Sequence, residues 1–150
     1  MIRIIIFSDT YKHFEIAVKE YEKRLWNVIE IIKLKPSKSK VESKIIKEET
    51  ENLKEKLEKI KWYKILLFID WNNISTENLH KLIEKNKQIY SDIIFVIGWA
   101  YWVNFEKIKN LIDYKLSFSK MTFPHSMALL ILLEQIYRIT MMKKWSYYHH

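Results

Sequence analysis

Among the side chains in the last third of this 150-residue chain that can give, take or neutralise charge beside a reacting atom are His125, Arg138, Tyr148 and His149. A histidine with its unperturbed pKa near 6.5 can pass a proton close to neutrality. An arginine presents a planar fork that suits a phosphate or a developing anion. These residues stand in and after the stretch from Leu116 to Arg138, which begins as a strand and runs through a polar turn, Ser117, Ser119, Lys120 and Thr122. It enters a helix at Pro124, whose fixed φ and missing N–H suit a first helical turn. Met127 to Leu133 are then all apolar. A helix apolar on every side must be covered on every side, by the core on one face and a partner chain on another. Glu134 and Arg138 follow at i,i+4 and can pair. The plainer reading of the stretch is a buried core helix with an ion pair at its end.

The elements that would position these residues alternate in type. Ile2 to Phe7 is a short apolar run closed by Ser8-Asp9, as expected of a strand buried on both faces. Phe14, Val18, Tyr21 and Leu25 recur at helical spacing over residues 13–25. Val28 to Leu34 reads as a second strand, and Lys35-Pro-Ser-Lys-Ser-Lys40 as a basic, polar turn. Residues 41–61 read as a surface helix laced with i,i+4 Lys/Glu pairs. Ile65 to Ile69 forms a third strand ending at Asp70. Ser75 caps the next helix, with Glu77 in its first turn. Ile93 to Ile97 makes a fourth strand, residues 105–112 a short helix, and Tyr114 to Phe118 a fifth strand. Strands alternating with helices predict an α/β fold, a parallel-rich sheet flanked by helices on both faces. Ligands of such sheets bind beyond the carboxyl ends of the strands. Those ends are Ile69-Asp70, Ile97-Gly98 and Phe118 to Phe123.

Composition narrows the class. At 150 residues the chain reads as one domain, 1–150, long enough to bury about 68–70% of its unfolded surface. It has no cysteine, which excludes disulfides and thiolate metal sites and is compatible with a reducing cytosol. The longest apolar run is seven residues, against about 20 for a membrane span. The opening MIRIIIFSD reads as a strand rather than a signal peptide. A soluble cytoplasmic protein without membrane or metal is the expectation. The net charge of +8 invites phosphate. However, 23 lysines against three arginines, among many isoleucines and asparagines, is also what an AT-rich genome writes into any protein.

SFSKMTFPH at 117–125 followed by LLEQIYR at 132–138, with Tyr148-His149 in the tail, resembles the RlmH family of SPOUT-class methyltransferases. EYEKRL at 20–25, ILLFID at 65–70 and FVIG at 95–98 extend the resemblance along the whole chain. The resemblance implies a C-terminal trefoil knot, one of the rare exceptions to unthreaded topology. It implies S-adenosyl-L-methionine as cofactor, held largely through backbone by Ile69, Gly98, Phe118, Ser119, Lys120, Met121, Thr122 and Phe123. The implied reaction is methyl transfer to N3 of a pseudouridine in 23S rRNA of the ribosome. The implied assembly is a homodimer in which the tail of one subunit completes the other's site. His149 is then the candidate for proton handling, with Tyr148 beside it. Arg138 would hold RNA phosphate or the developing anion, and His125 is the remaining candidate. The plainer alternatives are a loose terminal residue for His149, a Glu134 partner for Arg138 and a helix-end role for His125.

One departure runs through the whole chain. A protein this size ordinarily holds about 7% glycine, and this one has a single glycine, Gly98, with six tryptophans. The family pattern after the fourth strand is Ile-Gly-Gly-x-x-Gly, where this chain reads Ile97-Gly98-Trp99-Ala100-Tyr101-Trp102. Trp26 and Trp145 also fall at family glycines, Trp71 at or near one, and Trp62 close to a glycine-rich turn. The largest side chain in place of the smallest is not tolerated drift. It points to UGA codons that the source organism reads as glycine. A second departure is Leu129, where the family usually has arginine. These losses motivate a competing expectation, a catalytically inactive paralogue that binds rRNA or a ribosomal surface. A third is a related enzyme with a different RNA target, such as tRNA.

Overall fold

Ile4 and Ile6 face one side of the first strand and Ile5 and Phe7 the other, and all four are buried. A strand apolar on both faces needs cover on both, and the fold supplies it. The computed structural model describes residues 1–8, 10–98 and 103–147, with the side chains of 69–71 and 144–147 left aside. Five strands, β1 (Ile2–Phe7), β2 (Ile29–Leu34), β3 (Tyr63–Asn73), β4 (Ile93–Ile97) and β5 (Tyr114–Ser117), form one sheet in the order β2-β1-β4-β3-β5. Every pairing is parallel, so all the carboxyl ends lie on one edge.

The helices are α1 (Glu15–Arg24), α2 (Glu42–Glu58), α3 (Thr76–Lys87), α4 (Phe105–Ile108) and α5 (His125–Tyr147), with 3-10 turns at Lys12–Phe14 and Lys109–Leu111. One core joins Ile4, Ile6, Ile65, Leu67, Phe95 and Ile97 to Val18 of α1, Leu79 and Ile83 of α3, and Leu129, Leu132, Leu133 and Ile136 of α5. The opposite core joins Ile5, Phe7, Leu66, Ile94 and Val96 to Leu53 and Leu57 of α2 and Ile108 of α4. The period-two alternation of the strands thus sorts their residues between two helical layers.

Three details differ from the sequence reading. β3 spans Tyr63–Asn73 rather than 65–69, because it pairs with β5 twice. Leu67 stands opposite Leu116, the register then slips, and Asn72 meets the same Leu116. Residues 68–71 are the extra length, the irregularity between the two pairings. Helix α1 begins at Glu15, after a separate 3-10 turn. Pro124 lies one residue before α5, where its carbonyl accepts the first helical bond, from Ala128 N at 2.9 Å. Within one chain α5 buries a single stripe, Leu129, Leu132, Leu133, Ile136 and Ile139, while Met127, Leu130 and Ile131 are only half-buried.

Candidate functional site

The carboxyl ends of β3, β4 and β5 meet at one cleft. Its walls are Leu67 and Phe68 from β3, Ile97 and Gly98 from the end of β4, Ser117 from β5, and Phe118, Ser119, Met121, Thr122 and Phe123 from the following loop, with Ala128 of α5 beneath. The enclosed space is only about 40 Å³, so the cleft is a shallow depression, open at its mouth.

Local hydrogen bonds fix the loop that forms one wall. Ser117 Oγ, itself buried, donates to Ser119 O at 2.7 Å, and Met121 N donates to Ser119 Oγ at 3.0 Å. Asn73 Nδ2 donates to Ser117 O at 3.0 Å, tying the re-paired end of β3 to the end of β5. Serine and asparagine bond readily to nearby backbone, so this short polar turn shapes itself. On the opposite wall Gly98 N donates to Leu67 O at 3.3 Å. A Cβ at Gly98 would stand 3.2 Å from Leu66 Cδ1, tight enough that the neighbour would have to give. The bare backbone at Gly98 keeps that wall open.

Six of the eight residues assigned to the cofactor therefore line one cleft: Gly98, Phe118, Ser119, Met121, Thr122 and Phe123. Lys120 is exposed on the same loop and does not line it. Ile69 lies in β3, and its side chain is outside the described residues, as are Tyr148 and His149 altogether. Leu67, Phe68 and Ala128 were not singled out by sequence reasoning, and Ser117 was read as part of the polar turn rather than as a cofactor contact. The motif ILLFID at 65–70 contains the first two without distinguishing them.

His125 opens α5, two residues after Phe123. Burial, with a smaller push from the positive charge of Lys12, lowers its pKa to about 4, so the imidazole is neutral at pH 7. Arg138 lies elsewhere, lining a second cleft with Tyr21, Thr76, Tyr137 and Met141. Its Nε donates to Glu134, and its side chain is 63% exposed. Gln135 extends this network, donating to Glu134 at 2.7 Å and accepting from Thr76 Oγ1 at 2.6 Å. Leu129, at the position of the family's arginine, is wholly buried in the core. Among the described residues no group of three acidic or histidine side chains could hold a metal, and no helix is long and apolar enough to cross a membrane.

The amino-acid sequence matches a known family along almost the entire chain. The family model described as "Predicted SPOUT methyltransferase" matches residues 1–149. The chain belongs to the SPOUT methyltransferase family. Its relatives include a protein of Fusobacterium nucleatum named ribosomal RNA large subunit methyltransferase H, 39% identical over 132 aligned positions covering 85% of this chain and 84% of that protein. Proteins of the same name from Clostridium perfringens and Clostridioides difficile are 40% and 38% identical, over 92% and 97% of this chain and 91% and 96% of theirs. Membership in a SPOUT methyltransferase family implies a methyl donor.

Proposed function

We propose that this SPOUT chain is a large-subunit rRNA methyltransferase that transfers a methyl group from S-adenosyl-L-methionine to N3 of a pseudouridine in 23S rRNA. The observation that carries the reading is the convergence of Gly98 and the 117–123 loop on one cleft, in a chain that aligns nearly end to end with proteins named for that activity. The residues present fit the donor. Phe68, Phe118 and Phe123 offer apolar faces for a base, while the Gly98 backbone and the serine-bonded turn leave main-chain groups accessible.

The bound donor supplies a sulfonium methyl that is open to attack by a nitrogen lone pair. Everything else falls to the chain. The imide N3 must lose its proton as its nitrogen–methyl bond forms. Holding donor and acceptor in line can lower the barrier by about 7–11 kcal/mol. His125, whose burial lowers its pKa to about 4, is a poor acceptor for that proton and serves the turn into α5. Proton handling falls to His149 with Tyr148, contributed by a second subunit. Arg138, exposed and already oriented by Glu134, holds RNA phosphate. This makes the working unit a homodimer, with one SPOUT domain per chain, its C-terminal segment threaded as a trefoil knot, acting on ribosomes in the cytoplasm.

The test is incubation of the purified chain, and of a version with glycine at the six tryptophan positions, with unmodified 70S ribosomes and S-adenosylmethionine carrying a labelled methyl group, followed by mass mapping of the 23S rRNA. One N3-methylated pseudouridine is expected. Label confined to tRNA, or none in either RNA, would refute the assignment. The buried Leu129 favours one competitor, an inactive ribosome-binding paralogue. That competitor predicts no calorimetric binding of S-adenosylmethionine, either by this sequence or by a version with glycine at the six tryptophan positions.

A further inference from the structure

The basic turn after β2 is not a loose solvated loop. Ser37 N donates to Glu49 Oε1 at 2.9 Å, and Ser37 Oγ donates to Glu48 Oε2 at 2.5 Å. Ser39 N donates to Ser37 Oγ at 3.1 Å, and Val41 N donates to Ser39 Oγ at 3.1 Å. Glu49 is itself buried, so the turn is pinned to the core-facing side of α2. The serines point inward in this arrangement and Lys35, Lys38 and Lys40 are exposed.

The turn adjoins the loop after β1. Leu34 and Phe7 are register partners at the carboxyl ends of β2 and β1. Lys33 Nζ sits 3.9 Å over the ring of buried Tyr11. The next residue, exposed Lys12, has a φ of 49°, the one positive φ among the described non-glycine residues. A β-carbon-bearing residue held in that region is a strained conformation that the surroundings must enforce. The 3-10 turn it opens packs against α5, and the charge of Lys12 is felt by His125 at the start of that helix. Neither Lys12 nor the three turn lysines pairs with a carboxylate among the described residues. Lys54 pairs with Glu58 at 3.7 Å and Lys109 with Glu106 at 2.5 Å.

The geometry points to Lys12 and the Lys35–Lys40 turn as a phosphate track along the carboxyl edge of the sheet, which leads a single-stranded segment of the RNA substrate to the strand-end cleft. This rests on the RNA-methyltransferase reading and adds to it the surface that grips the backbone. Adjacent strands lie about 4.8 Å apart, so the turn at the end of β2 is roughly 10 Å from the end of β4, close enough for one strand to touch both. Lysines act here as point charges on phosphate and read no sequence. The pinned serines reduce the ordering lost on binding, because the charges already stand on a fixed turn.

The test measures affinity for a 23S rRNA transcript by fluorescence anisotropy over a range of KCl concentrations. Single-stranded phosphate contacts each contribute about 0.7 to the slope of log affinity against log salt. The combined Lys35→Gln, Lys38→Gln and Lys40→Gln variant should flatten that slope by about 2, and adding Lys12→Gln should flatten it by about 0.7 more. Arginine at the same positions should restore it. Lys54→Gln with Lys109→Gln removes charge off the track and should leave the slope nearly unchanged. Calorimetric affinity for S-adenosylmethionine should be the same in all variants. A steep slope in the unaltered chain that survives the glutamine substitutions, or that falls equally with the off-track pair, overturns the track alone. An unaltered chain that does not bind rRNA overturns the underlying reading as well.

Discussion

At the scale of single residues, Gly98 and His125 make opposite demands on the cleft. Gly98 must stay small. Its Cβ would press on Leu66 Cδ1, whose side chain is buried in the α2-facing core and has little room to yield. Gly98→Ala should cost about 1 kcal/mol in a urea melt, at the lower end for an overpacked site. It should also weaken S-adenosylmethionine several-fold by calorimetry, and unchanged donor affinity would remove Gly98 from the wall that matters. His125 must stay neutral. The unfolded chain takes up that proton below about pH 6.5, the folded chain only below about 4. Between those values the unfolded state holds more protons, so acid destabilises the fold, by up to about 1.4 kcal/mol per pH unit. Stability should therefore fall as the pH drops from 6.5 towards 4, and His125→Gln should remove that part of the slope. Equal slopes in the two proteins would mean that another group is responsible.

At the scale of elements, the cleft depends on how β3, β5 and their loop are joined. Ser117 is buried and its hydroxyl has one partner given by the fold, the Ser119 carbonyl. Ser117→Ala leaves that turn without its internal tie and should cost about 1–2 kcal/mol. Asn73→Ala frees the Ser117 carbonyl at the other end of the same junction. Both should raise the dissociation constant for S-adenosylmethionine while leaving the salt slope for RNA intact. A change in RNA affinity alone would mean that the junction shapes a different surface. The strands were legible in the sequence because runs such as Ile2–Phe7 and Ile93–Ile97 are apolar throughout, and an all-parallel sheet requires that. Ser75 was legible as a cap, and its Oγ accepts from Asn78 N at 3.2 Å. The second pairing of β3 was not legible. It depends on which residue of β5 meets Asn72, a register that no local pattern in either strand encodes. The cleft loop was readable from its motif, but its neighbours Leu67 and Ala128 were not, because packing rather than polarity brings them there. Nor did the Lys35–Lys40 turn announce its anchorage. Glu49 lies in a dense run of Lys and Glu, and only the fold shows it buried on Ser37.

At the scale of the whole molecule, the exchange of glycine for tryptophan gains a physical test from the two tryptophans whose side chains are described. Trp26 follows Leu25, the C-cap of α1, and is 78% exposed. A residue just beyond a helix end is commonly glycine, and an indole in solvent there contributes no burial. Trp26→Gly should therefore leave stability within about 0.5 kcal/mol of the unaltered chain, the usual range for surface changes. Trp62 is different. It packs on the α2-facing core, and the Arg3 guanidinium lies 4.1 Å over its ring. Arg3 also pairs with Glu30 and Asp92, each at 2.6 Å, so it keeps its charge partners if the ring is removed. Trp62→Gly should cost the stacking, about 0.5–2 kcal/mol, plus the lost packing. Trp71, Trp99, Trp102 and Trp145 lie outside the described side chains and are tested through function. Trp99 follows Gly98 directly and Trp102 comes three residues later, where indoles would stand in place of the bare backbone that the proposed donor site needs. If UGA is read as glycine, the chain with all six glycines should bind S-adenosylmethionine more tightly than the chain with six tryptophans. Peptide masses from the native protein should then carry glycine at all six positions. Native peptides that contain tryptophan there, or UGG codons in the gene, would end the idea. The exposed Trp26 would then need a partner surface to explain it.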